Sequence, residues 1–220
     1  MQKQNVYTIQ DDIFMDALKL IDEHFQDVPY AIVGGGAVQI YVSAAAINAG
    51  RLKSVKDING LSFILRRTGD IDLSFQIDPT ELVAKFNVII EQSAGTYTFH
   101  NFTKRFVMQH SNRRFNLNYQ LEPEDLKGIP TYYDDIIHTP IIVTLPYQNQ
   151  QLHLKLGRPE YLIVSKLTRA KPKDQIDIAL LLKAMEAENY PFDAEEVRSI
   201  LKSINKGEQY DILKELMESG

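Results

Sequence analysis

The segment Asp70-Ile71-Asp72-Leu73-Ser74-Phe75 limits what this chain can fold into more than any other stretch. Alternate side chains of a strand point to the same face. Asp70 and Asp72 therefore share one face, about 7 Å apart by strand rise, while Ile71, Leu73 and Phe75 fill the other. Such a strand belongs in a sheet with one covered side and one wet side, because unpaired acids on a buried face are costly. A second constraint lies upstream. Tyr30 to Val33 is a short apolar strand that runs into Gly34-Gly35-Gly36. The residues from Ala37 to Ala49 are mostly small and apolar, which predicts a helix packed tightly on the sheet, with Gly50 as its stop.

The two features imply a common chemistry. Neighbouring carboxylates repel, and a divalent cation relieves the repulsion; hard cations such as Mg²⁺ or Mn²⁺ prefer oxygen ligands. Glycines admit a close backbone approach, and helix-terminal N–H groups suit phosphate. A phosphate cradle at Gly34, Gly35 and Gly36 beside metal carboxylates at Asp70 and Asp72 implies nucleotide chemistry. Arg67, three residues before Asp70, is either a solvated loop charge or a planar fork on a phosphate.

The rest of the chain alternates helix and strand. Asp11-Asp12 precede an amphipathic run through Phe25, which Pro29 ends. Arg51 to Arg66 reads as an inserted loop. Asp78-Pro79 caps a helix with Leu82, Phe86, Ile89 and Ile90 on its apolar side. Tyr97 to Gln109 alternates as one strand, and Arg114 to Leu121 returns, with Phe115, Leu117, Tyr119 and Leu121 opposite Asn116, Asn118 and Gln120. Lys104, Arg105, Arg113 and Arg114 cluster on that hairpin, as solvated charge or as a patch for a nucleic-acid acceptor. Ile141 to Leu145 and Gln151 to Leu156 form a further hairpin. The last sixty residues or so read as helices starting at Pro159, Asp174, Asp193 and Tyr210, with Asp193 and Glu196 as a capping box. Asp174 and Asp177 are either an N-cap with its partner or, for one of them, an active-site acid.

A strand, glycines, a helix and Asp-x-Asp on the next strand together resemble the nucleotidyltransferase superfamily, with its DNA polymerase β-like fold. Arg67-Thr68-Gly69-Asp70-Ile71-Asp72 is similar to the AbiEii-type branch, which includes toxins of type IV toxin–antitoxin systems. A second stretch, Pro159-Glu160-Tyr161-Leu162-Ile163, then Lys166-Leu167, Arg169, Lys173-Asp174 and Asp177-Ile178, also resembles that branch. The resemblance covers Tyr30 to Leu182. It implies a mixed α/β (α+β) fold, with a catalytic domain over 1–157 and a helical subdomain over 158–220 contributing Lys166 and Asp174. It implies catalytic roles for Asp70, Asp72, Lys166 and Asp174, with Arg67, Thr68 and Lys166 joining the glycines on the nucleotide. It further implies an RNA or tRNA 3′ end, or a protein hydroxyl, as acceptor, and a separate antitoxin chain as partner. The third carboxylate of the superfamily falls on the return strand, where this chain has Asn116 or Asn118; Glu122 and Glu124 lie just beyond. That departure sets a binding protein without turnover beside the enzyme as an alternative.

Composition excludes several other classes. There is no cysteine, hence no disulfide framework or thiolate metal site, as expected of a cytoplasmic protein. The net charge of −5 confines any nucleic-acid contact to a local patch. No apolar run approaches a membrane span. Histidines lack ligand spacing, and no Walker pattern or nucleophile elbow is present.

Overall fold

The computed structural model describes residues 12–50, 69–93, 96–100, 104–110, 113–121 and 135–218. Among these, α1 (Asp12–Phe25) leads into β1 (Tyr30–Val33) and α2 (Gly34–Asn48). The chain continues through β2 (Asp70–Phe75), α3 (Pro79–Gln92), β3 (Tyr97–His100), β4 (Arg105–His110) and β5 (Arg113–Gln120). The hairpin of β6 (Ile141–Tyr147) and β7 (Gln150–Leu156) precedes four helices, α4 (Pro159–Arg169), α5 (Pro172–Ala187), α6 (Ala194–Ser203) and α7 (Tyr210–Glu218).

The strands form one mixed sheet in the order β3-β4-β5-β2-β1-β7-β6. β2 lies at its centre, antiparallel to β1 and parallel to β5. The register sets Val33 opposite Asp72 on one side, and Asn116 opposite Asp70 and Asn118 opposite Asp72 on the other. Ile71, Leu73 and Phe75 are buried, as their alternation requires. On their side α1 and α3 close the core through aromatic contacts. Phe25 meets Phe75 and Phe86 at 5.0 and 5.6 Å, Phe14 meets Phe115 edge-on, and Phe86 stacks on Phe106. Rings in these geometries add to what their area burial contributes.

α2 is apolar nearly all round and buried from Gly36 to Ala46, as a helix without a polar face must be. It packs on β1, β2 and β6, and also on α4 and α5. The C-terminal helices are thereby tied to the sheet through α2. Gly50, at φ +68°, ends α2 as the sequence implies. Asp78 caps α3, its carboxylate accepting from the N–H groups of Thr80 and Glu81 at 2.8 and 3.3 Å.

The structure corrects four local readings. The glycines are not a loop before the helix but its first turn, α2 starting at Gly34. The stretch from Tyr97 to Gln109 is two antiparallel strands rather than one, the second starting just after Lys104, which has a positive φ of 46°. α5 starts at Pro172, whose fixed φ suits a first helical position. Asp174 and Asp177 are therefore inside the helix and buried, not its cap; the N-cap is Lys171, with no side-chain cap bond. Asp193 does cap α6, through the Glu196 N–H at 2.9 Å. The Glu196 carboxylate does not close a capping box, because it pairs with Arg158 at 2.5 Å and accepts from Tyr161. Among the described residues no helix is long and apolar enough to cross a membrane.

Candidate functional site

The site begins where β1 becomes α2. Val33 is extended, with φ −129°, and Gly34 turns to φ +67°, a region that strongly favours glycine. A Cβ built on Gly34 would collide with Oδ2 of Asp72. The turn and the Asp-x-Asp strand are therefore in direct contact, and the absent side chain is what permits it. Gly36 packs on Ile71 and the backbone of Asp70, where a Cβ would have ordinary room, with its nearest atom at 3.6 Å. The first turn of α2 carries no acidic residue, and Val33 makes no side-chain cap bond. Its leading N–H groups thus have no intrahelical partner and end at the carboxylate pair.

Asn118, reached from β5 by register, bridges that pair. Its Nδ2 donates to Asp70 Oδ2 at 3.0 Å and to Asp72 Oδ1 at 3.1 Å. Its own Oδ1 accepts from Nε of Arg105, on β4, at 3.1 Å. Both carboxylates are half-buried. Burial pushes the Asp72 pKa up, and repulsion from Asp70 adds to this, while the Asn118 hydrogen bond opposes it. Arg169 and Lys166 also pull it down, so both cations lie within electrostatic reach of β2.

Those cations come from α4 and meet acids on α5. Lys166 is 1% exposed and donates to Asp177 at 2.6 Å, with Asp174 at 4.0 Å. Burial lowers its pKa, and the hydrogen bond and charge of Asp177 oppose that. Asp174 accepts from Arg169 at 2.7 Å through Oδ1; its Oδ2 is buried without a hydrogen-bond partner. Arg169 is 46% exposed, with one guanidinium nitrogen held by Asp174.

Of the residues expected from sequence, Gly34, Gly35, Gly36, Asp70 and Asp72 meet at one point. Lys166 acts on Asp72 electrostatically but is directed at Asp177, and Asp174 meets Arg169. Arg67, Thr68, Glu122, Glu124 and the 51–66 insertion lie outside the described residues. Sequence reasoning assigned no role to Arg169 and preferred Asp174 to Asp177. A signal was available: Lys166 and Arg169 are three apart on α4, and Asp174 and Asp177 three apart on α5. Each pair occupies one helix face, so adjacent helices would bring two cations onto two acids.

The donors for a metal are the two carboxylates, since the amide oxygen of Asn118 is turned away onto Arg105. Among the described residues no group of three or more histidines or acids gathers at one point. The Asp pair nonetheless suits a hard divalent ion, since its two negative charges share one face and Asp72 is raised partly by Asp70.

No protein-family model matches this chain, and no curated protein matches it in sequence. Three solved structures share features of its backbone. A nucleotidyltransferase-like antigenic protein from Paracoccidioides brasiliensis is 15% identical, over 81% of this chain and 75% of that one, with a TM-score of 0.49. The Megavirus polyadenylate synthase is 13% identical over 86% of this chain and 34% of its own length, with a TM-score of 0.45. The antibiotic-resistance factor ANT(2'')-Ia is 15% identical over 94% and 97%, with a TM-score of 0.42.

Proposed function

We propose that this protein is a nucleotidyltransferase that moves NMP from a nucleoside triphosphate to an acceptor hydroxyl. The contact between Gly34 and Asp72 carries the reading, because it joins a backbone suited to phosphate to carboxylates suited to Mg²⁺. Asp70 and Asp72 would hold the cation. When bound, that ion offsets phosphate charge and stabilises the charge that develops on transfer. Gly34, Gly35 and Gly36 present the uncapped first turn of α2 to the triphosphate. Arg169, braced by Asp174, offers its guanidinium to the same phosphates. Lys166 adds positive charge from behind, held by Asp177. We assign the helices of 158–220 to a subdomain whose task is to supply these two cations, with 1–157 as the catalytic domain. Arg67 and Thr68 complete the nucleotide contacts in this proposal.

In the reaction the acceptor oxygen bonds to the α-phosphorus, the bond between that phosphorus and the bridging oxygen breaks, and pyrophosphate leaves. The hydroxyl proton passes to solvent. The residues act mainly by positioning and by electrostatic stabilisation. We take an RNA or tRNA 3′ end as the acceptor, and an AbiEii-type toxin with a separate antitoxin chain as the biological setting. The Arg67–Asp72 and Pro159–Ile178 motifs support that setting.

Labelled NTPs, Mg²⁺ and total tRNA test the reading. The wild type should label RNA in a Mg²⁺-dependent way, and Asp70→Ala should not. Equal labelling by both would remove the Asp-x-Asp strand from the mechanism. Asn118 favours one second reading, a protein that binds nucleotide without turnover. Metal-dependent binding of NTP with no product would mark that case.

A further inference from the structure

The third-strand position next to the acidic pair is filled by an amide whose orientation is fixed from outside. Asn118 stands opposite Asp72 on β5, and Arg105 stands opposite Asn118 on β4. The three side chains form one row across adjacent strands. Arg105 has only donors, and its Nε–H is directed at Oδ1 of Asn118. The NH₂ end of the amide must then face the acids, and it does, reaching both at 3.0 and 3.1 Å. Turning the amide over would set its oxygen against two carboxylates and its NH₂ against a guanidinium N–H. All three hydrogen bonds would be lost, and each new contact would pair like with like.

An in-line displacement clamped by two metal ions needs ligands on both sides of the bridging carboxylates. Here one side is taken. Asp70 Oδ2 and Asp72 Oδ1 already accept from Asn118, whereas Asp72 Oδ2 faces the Gly34 turn. We infer that the Arg105–Asn118 pair stands in for a second cation, so that this site takes a single divalent ion. The amide supplies two N–H donors where that cation would sit, and the guanidinium behind it offsets one of the two negative charges. Asn118 is then a positioning residue: it holds the two carboxylates in register for one ion. The inference rests on the metal-binding reading proposed above.

Counting bound Mn²⁺ by electron paramagnetic resonance tests it, using the full chain with a non-hydrolysable NTP analogue. The wild type should bind one ion per chain. Asn118→Asp, which restores a carboxylate, should bind two, with the broadened spectrum of a coupled pair. A wild-type count of two overturns the inference and leaves the proposed function standing. No bound ion removes both. A count of one for both proteins also overturns it, since the amide would not be what limits the site. Thermal melting shows whether Asn118→Asp is folded, and if it is not, the wild-type count decides alone.

Discussion

Two of the charge clusters among the described residues solve opposite problems. At Asp70 and Asp72 like charges share a strand face and are bridged by a neutral amide. At Lys166, Arg169, Asp174 and Asp177 unlike charges cancel, and three of the four side chains are almost wholly buried. The second cluster is neutralised by its own ion pairs, so all but Arg169 can be buried between helices. The first sets like charges side by side and remains half-open to what can neutralise it. A buried ion pair is weak evidence for stability, but losing one partner is costly. A pair of like charges set against a helix start points to a ligand instead.

Substitutions should separate the two clusters. The largest effect on activity is expected from Asp72→Asn, with transfer falling by about a thousandfold or more if the residue holds the metal, while the protein stays folded by circular dichroism. In the buried cluster the effect should be on stability. Lys166→Met leaves Asp177 uncompensated and should cost roughly 3–5 kcal/mol in denaturant unfolding. Adding Asp177→Asn should restore much of the loss, which a direct contact of Lys166 with phosphate would not predict for stability. Gly34→Ala links the clusters to the fold, because it combines a positive φ with a collision at Asp72. We expect about 1–3 kcal/mol of destabilisation from the backbone alone, and a raised KM for NTP in steady-state assays.

The smallest effect is a pH signature. The folded pKa of Asp72 is raised above its ordinary value of 3.8, chiefly by burial. Its contribution to stability is therefore greatest below the unfolded pKa and declines as pH rises through the folded one. Without metal, Asp72→Asn should melt above the wild type at neutral pH, and the difference should shrink as pH falls toward the carboxylate range. Saturating Mg²⁺ and nucleotide should reverse the order, since a ligand at a hundred times its Kd stabilises the wild type by about 2.7 kcal/mol. No reversal would mean that the pair is not where the ligand binds.

How far the sequence was legible follows the same division. The open cluster is built from short-range rules. Asp70 and Asp72 share a face because strands have period two, and Gly34 marks a close approach because a side chain there would meet Asp72. Both are visible in a few consecutive letters. The third position was legible only as Asn116 or Asn118; the parallel register of β2 with β5 sets Asn118 opposite Asp72. Arg105 looked like one of four surface cations, and only the register of β4 shows that its nitrogen reaches the amide. The buried cluster depends on two helices meeting, and local spacing allowed Asp174 and Asp177 to pass as a cap. The first turn of α2 was misplaced for a simpler reason: glycine's low helix propensity argued for a loop, and packing against β2 overrode it.

Calorimetric titration of a non-hydrolysable NTP analogue into the protein, with and without Mg²⁺, tests the central claim most directly. Binding should appear with the metal, weaken sharply without it, and be lost in Asp70→Ala. Binding of the same strength in all three experiments would place the nucleotide elsewhere, or make the acidic pair irrelevant to it, and would contradict the account.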